Sequence, residues 1–219
     1  MVTISSTRAA EAKKRRKRGR PKALSDDAQR AIIVATAWRL FVKKGFTNTT
    51  TDDVAAAAHI SKQTLYRLFP SKQALFAAVV DTHRQAMLAL PGNYENMPIK
   101  QALELIFRTN IDQRAHQDRL ALFKILLSEA EQSPALRRIA RKHGAAPSRA
   151  ELAKWLSEQQ KRGRIAIDNP NTCARILLDM TIGSVVHSMN IERKGSSLSE
   201  FQDHIRHAIA VFLNGVLPR

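Results

Sequence analysis

Apolar residues recur at helical spacing along almost the whole chain from residue 26 onward. Ile33, Ala37, Leu40 and Phe41 fall on one face of a segment running from about Asp26 to Lys44, the i, i+4, i+7 pattern of a helix with one buried side. Alternating apolar and polar runs of the strand type are absent, so the pattern predicts an all-α fold. Punctuation divides it. Thr50 with Asp53 is an acidic form of the capping box, Ser61 caps Lys62 to Leu68, and Ser71 opens a segment to Leu90 just after Pro70 bars continuation. Pro91-Gly92-Asn93 is a strong break. Segments then follow near Pro98–His116, Gln117–Glu131, Pro134–His143, Pro147–Arg162, Pro170–Asn190 and Leu198–Val216, four of them opening on proline, where the missing N–H is harmless. Ser133, Asn169 and Ser197 serve as caps, the last in a box with Glu200.

Two short helices joined by Ala58-His59-Ile60 make a helix-turn-helix, whose second member enters the DNA major groove. The side chains suit that task. Lys62 donates to guanine acceptors, Gln63 pairs bidentately with adenine, and the Thr64 methyl meets a thymine methyl. Ser61, Tyr66 and Lys72 carry donors for phosphate oxygens. Leu65 and Leu68 point to the core. The plainer reading is a short polar helix on any small bundle.

This window resembles the N-terminal domain of TetR-type (tetracycline-repressor family) transcriptional regulators. The resemblance rests on Gly45-Phe46, Thr49-Thr50, Asp53-Val54-Ala55, Ile60-Ser61, Thr64-Leu65-Tyr66, Phe69 and Ser71-Lys72 with Leu75, and it extends from about Asp26 to Leu90. His59 stands where the family usually has glycine, in a turn that favours left-handed backbone. The resemblance adds Thr50 to the DNA-contacting set. It implies an organisation of 1–24 as a basic arm, 25–90 as the DNA-binding domain and 91–219 as a helical domain for effector binding and dimerisation.

Charge agrees with a nucleic-acid partner. The formal net charge is +17, and residues 1–22 hold nine Lys or Arg against one Glu, so nearly half the excess lies in a tenth of the chain. That arm is expected to be disordered without DNA. Within it Lys17-Arg18-Gly19-Arg20-Pro21-Lys22 resembles an AT-hook: Gly19 lets the backbone sit deep in a narrow minor groove while Arg18 and Arg20 extend along its floor. A generic phosphate-binding tail, or a nuclear-localisation-like run in a eukaryotic source, is the alternative. Cys173 is the only cysteine, which excludes an internal disulfide and fits a reducing cytoplasm. No apolar run approaches the roughly 20 residues of a membrane helix, and no signal-peptide core follows the arm.

The second half resembles the family's effector domain more loosely, through Leu126 to Glu131, Pro134-Ala135-Leu136, Trp155-Leu156, Gly163-Arg164-Ile165 and Asp168. The family's last two helices usually pair with their copies in a second subunit. Here their stripe includes Ile176, Leu177, Met180, Val185, Val186, Ile205, Ile209, Phe212 and Leu213; a monomer core is the other use for it. Met87, Phe107, Phe123 and Trp155 fall at core spacings, and the implied effector cavity makes them candidates for its wall. Enzyme chemistry finds no phosphate loop, nucleophile elbow or Cys–His pair. His204 and His207 with Asp203 have helical spacing, but such pairs more often sit in solvent than on a metal, so no cofactor or metal is expected.

The reading is a homodimeric repressor of a pseudo-palindromic double-stranded DNA operator, cytoplasmic and nucleoid-associated, released by a small-molecule effector. In the implied mechanism the effector favours a dimer whose readers no longer match the roughly 34–36 Å between successive major grooves. The alternative is a constitutive architectural protein without an effector.

Overall fold

The computed structural model describes residues 24–183 and 197–216; the arm with Arg18, Gly19 and Arg20, and the stripe residues Val185 and Val186, lie outside them. Among the described residues every regular element is helical. The first helix, α1 (Asp26–Lys44), starts where Ser25 accepts the Ala28 N–H at 3.2 Å, with Asp26 and Asp27 in its first turn and Lys43 and Lys44 in its last. Both charge placements favour the helix dipole. Its buried face is Ile33, Val34, Ala37, Trp38 and Phe41.

Helices α2 (Thr51–Ala57), α3 (Lys62–Leu68) and α4 (Lys72–Met87) follow, each capped by a hydroxyl side chain. At α2 the box is complete: Thr50 Oγ1 accepts from Asp53 N at 3.0 Å and Asp53 Oδ2 accepts from Thr50 N at 2.9 Å. His59 takes the left-handed turn with φ 55. The expected extension of α4 to Leu90 fails. Leu88 is already extended, with φ −130 and ψ 113, as the chain approaches Pro91.

The C-terminal half contains α5 (Ile99–Ile106), α6 (Gln113–Gln132), α7 (Pro134–Ile139), α8 (Ala146–Lys161), α9 (Pro170–Leu178) and α10 (Leu198–Val216). Three departures from the sequence pattern have physical causes. The break expected at His116 lies earlier, because Arg108 adopts φ 52 and Asp112 caps α6 through the Ala115 N–H at 2.8 Å. The helices expected at Pro134–His143 and Pro147–Arg162 are one continuous run, joined by a π-helical segment over Ala140–Ala145. Pro147 lacks the N–H that an α-turn would use there and would crowd the carbonyl four residues back, so the wider turn relieves both defects. A second π segment, Asp179–Gly183, continues α9; in it the Thr181 hydroxyl donates to the Leu177 carbonyl at 2.7 Å, a side-chain bond that competes with helix register.

Two cores form. One holds Ile33, Phe41, Phe46, Val54, Leu65, Leu68 and Phe76, and takes in Leu122, Ile125 and Leu136 from α6 and α7. The other gathers Leu103, Phe107, Leu152, Trp155, Leu156, Leu177, Phe201, Ile205, Ile209 and Phe212. The reader is therefore packed directly on α6. Arg119, on the same helix, is buried between the halves: it donates to the carbonyls of Ala86 and Met87 at 3.3 and 3.4 Å, stacks 4.8 Å from the Phe201 ring, and burial lowers its pKa to about 10.

Candidate functional site

The recognition helix α3 is held from both sides. Leu65 and Leu68 are buried beneath it while Ser61, Lys62, Gln63, Tyr66 and Arg67 are exposed and Thr64 is half-exposed. Ser61 Oγ accepts the Thr64 N–H at 3.0 Å and also meets the Thr64 hydroxyl at 2.9 Å. The Tyr66 and Thr51 hydroxyls are 2.9 Å apart, tying α3 to α2. Arg67 forms a two-pronged bond to Asp26 at 2.6 and 2.8 Å, a geometry that fixes orientation as well as distance. Pairing with Arg67 holds the Asp26 carboxyl below the usual carboxylate range.

Not all of the predicted contacts are equally available. The Gln63 side chain makes no hydrogen bond among the described residues. Lys62 lies 2.6 Å from Asp52 on the neighbouring helix, which raises its pKa, so groove entry must exchange that carboxylate for a base or a phosphate. Thr50 uses its hydroxyl and its N–H within the capping box. Lys72 is engaged within the fold. Its ammonium turns inward, donating to the carbonyls of Phe46, Thr47 and Thr49 at 2.9, 3.2 and 2.9 Å, and sits 4.4 Å from the Phe46 ring centroid. All three N–H donors are engaged in the turn before α2, and burial lowers the pKa of the group. A phosphate would have to take them from the fold. Asp26, Asp52 and Arg67 escaped the sequence reading, since partners 41 and 10 residues apart leave no local signal.

A second contact couples the halves. Glu129 on α6 accepts the Thr47 N–H at 3.3 Å and the Thr47 hydroxyl at 2.5 Å. Gly45, with φ +80, sits so close that a Cβ there would approach Glu129 Oε1 to 2.9 Å. The α1–α2 turn is thus shaped around that carboxylate.

On the other side of α6 lies a cavity of about 1120 Å³. Its walls come from α4 (Val80, Arg84, Met87), α6 (Leu122, Phe123, Leu126, Leu127), the π segment with the head of α8, and the end of α9 with its own π segment. Both π segments line it. Of the four wall candidates, Met87 and Phe123 do line the cavity. Phe107 and Trp155 do not; they are 1% and 6% exposed in the second core, filled by apolar neighbours on every side.

The predicted dimer stripe divides the same way. Ile205, Ile209 and Phe212 are buried in the second core, which they close from α10. Ile176 is 47% exposed and Met180 partly so; the Met180 carbonyl meets His204 Nε2 at 2.7 Å. Val211, on the outer face of α10, is 50% exposed. Among the described residues no group of His, Cys, Asp or Glu is clustered to hold a metal, and no helix is long and apolar enough to cross a membrane.

Residues 33–79 match bacterial regulatory proteins of the tetR family, and residues 101–215 match the C-terminal domain of AefR-like transcriptional repressors. The chain is 34% identical over 116 residues to the HTH-type transcriptional regulator EthR of Mycolicibacterium smegmatis, a match covering 50% of this chain and 51% of that protein. It is 23% identical over 192 residues to the HTH-type regulator YvkB of Bacillus subtilis, covering 84% and 95%. Thus the chain spans only about half the length of the EthR relative, although it spans nearly all of YvkB. Among solved structures, a TetR-family regulator from Mesorhizobium loti superposes with a TM-score of 0.70 at 22% identity, over 90% of this chain and 100% of that one. The flavonoid-responsive regulator FrrA superposes at 0.62 with 27% identity, over 88% and 99%. These relatives are regulators rather than enzymes. With both halves matched, the second match alone covering more than half of its residues, the chain belongs to the TetR family of transcriptional regulators.

Proposed function

We propose that this protein is a homodimeric repressor that reads a pseudo-palindromic operator with Lys62, Gln63 and Thr64 and lets go when a small molecule enters the cavity beside α6. One observation carries the reading: α6 touches both the cavity, through Phe123, and the turn before the reader, through Glu129. A ligand that favours one placement of α6 then favours one placement of the reader. Ser61 and Tyr66 position the helix on phosphates, and the arm with Arg18 and Arg20 follows an adjacent minor groove. The dimer uses the outer faces of α9 and α10, where Ile176 and Val211 are exposed. The site of action is the cytoplasmic nucleoid.

Footprinting on DNA flanking the protein's own gene tests this. A repressor protects one symmetric site, and Gln63→Ala or Lys62→Ala lowers affinity by about 1–3 kcal/mol with relaxed preference at one base pair per half-site. Deleting residues 1–22 makes the dependence of log affinity on log salt shallower, and Val211→Glu yields a monomer by light scattering. Broad coverage of AT-rich DNA, insensitive to Lys62 and Gln63, would instead favour an architectural protein.

A further inference from the structure

The charge of the cavity wall says what kind of molecule it takes. Among the described residues six bases line it, Arg84, Arg138, Arg141, Lys142, Arg149 and Arg175, against one acid, Asp179. The whole chain has 36 bases to 19 acids, so the wall is far more one-sided than the chain's general basicity explains. Arg175 is paired with Asp179 at 3.6 Å, and Arg84 with Glu151 at 2.7 Å. Among the described residues the other four meet no carboxylate.

Arg84 supplies the sharper clue. Its side chain is only 14% exposed, and while one terminal nitrogen binds Glu151, its Nε is buried without a hydrogen-bond partner among the described residues. A buried guanidinium N–H left unmatched is costly, and because Arg84 borders the cavity, a small rotation of its side chain would offer that N–H to an acceptor there. Apart from Phe123 and the polar Ser148 the remaining wall among the described residues is apolar and non-aromatic, which is no aromatic cage for a cation. The volume, about 1120 Å³, is slightly above the roughly 300–1,000 Å³ usual for small-molecule sites.

Resting on the reading of this cavity as the effector site, we propose that its ligand is an anionic amphipath: an apolar body lying against Phe123 and the leucines of α6, with one carboxylate or comparable oxyanion accepting from Arg84 Nε. The surrounding cations steer the anion in and hold it at the basic end, whereas a neutral or cationic analogue of the same body leaves Arg84 unsatisfied or meets repulsion.

Two dyes with one skeleton test this on the full-length protein. 1-Anilinonaphthalene-8-sulfonate carries an anionic head; N-phenyl-1-naphthylamine is the same body without it, and both brighten in apolar surroundings. The expected result is one sulfonate dye per chain, bound about tenfold or more tightly than the neutral dye, as a charge-assisted hydrogen bond in a half-buried site should give. Arg84→Lys keeps a cation for Glu151 but removes the Nε donor, and should weaken the sulfonate dye several-fold while leaving the neutral dye unchanged. Should that variant prove unstable, Arg84→Met combined with Glu151→Gln removes both partners and carries the same expectation. Equal affinity for the two dyes, or a sulfonate affinity indifferent to Arg84, overturns the anionic class while leaving the cavity as a ligand site. If neither dye binds, the anionic ligand and the effector cavity fall together.

Discussion

The reader and the C-terminal half are both helical and both built on continuous apolar cores, yet they differ in the regularity of their helices. In the reader each of four helices begins at a Ser or Thr whose side chain takes up an orphan N–H. Ion pairs and hydroxyl contacts then tie the pieces together: Arg67 to Asp26, Tyr66 to Thr51, Lys72 to three carbonyls. The aromatic rings of Phe41, Phe46 and Phe76 pack mutually at 5.0 to 5.6 Å between centroids. Around the cavity the helices are capped as well, α6 by Asp112, α7 by Ser133 and α9 by Asn169, but two π segments interrupt their register and form part of the wall. A reader has to present donors at fixed positions, so local closure serves it. A cavity has to admit something, and looser register leaves room.

The largest break in that contrast comes from truncating aromatics or wall residues. Phe76→Ala, in the reader core, should cost about 3–5 kcal/mol, whereas Met87→Ala, partly buried against both cores and bordering the cavity, should cost less, about 1–2 kcal/mol. Thermal unfolding of the two variants checks this; similar losses would mean the cavity wall is as tightly packed as the reader.

Lys72→Met comes next. It strands three carbonyls and removes the cation from the Phe46 ring, so a loss of about 2–4 kcal/mol is expected. An unchanged Tm with weakened operator binding would instead assign the side chain to phosphate.

His83 sharpens the picture through pH. Its ring stacks 4.0 Å from Trp38, and burial lowers its pKa below the ordinary 6.5, opposed by Asp118. Below that ordinary value the unfolded chain takes up a proton that the folded chain resists, so stability falls as pH drops through 6.5 and downward. His83→Phe should flatten the fall of Tm with acidification; an unchanged slope would place the pH sensitivity in another group. The smallest effect is His59→Gly. Relief of the φ 55 backbone is offset by greater freedom in the unfolded chain, leaving a gain of about 0–1 kcal/mol, measurable as a Tm shift with no change in operator preference.

The same contrast explains what the chain's pattern disclosed. Caps and apolar spacing are local, so α1, α3 and α10 end where their own residues say. Pro147 looked like a fresh start and is instead absorbed by a π-turn, because α7 and α8 pack as one run. Phe107 and Trp155 carry the same spacing as Met87 and Phe123, and only the three-dimensional path decides which pair meets the cavity. Lys72, Asp52 and Glu129 work through partners distant along the chain, which periodicity does not record.

The bond between Glu129 and Thr47 sets how the reader would respond to the cavity. Six residues of helix separate Phe123 from Glu129, about 9 Å of nearly rigid rod. A tilt of about 5° at the cavity end then moves the carboxylate by roughly 0.8 Å, and a hydrogen bond fades steeply over that distance. Such a joint behaves as a trip-wire rather than a dial: it holds through small fluctuations and lets go once a limit is crossed. We expect the Thr47 amide to show two states on ligand titration, protected and exchanging, and a smooth drift in its hydrogen-exchange protection would replace the trip-wire with an elastic link.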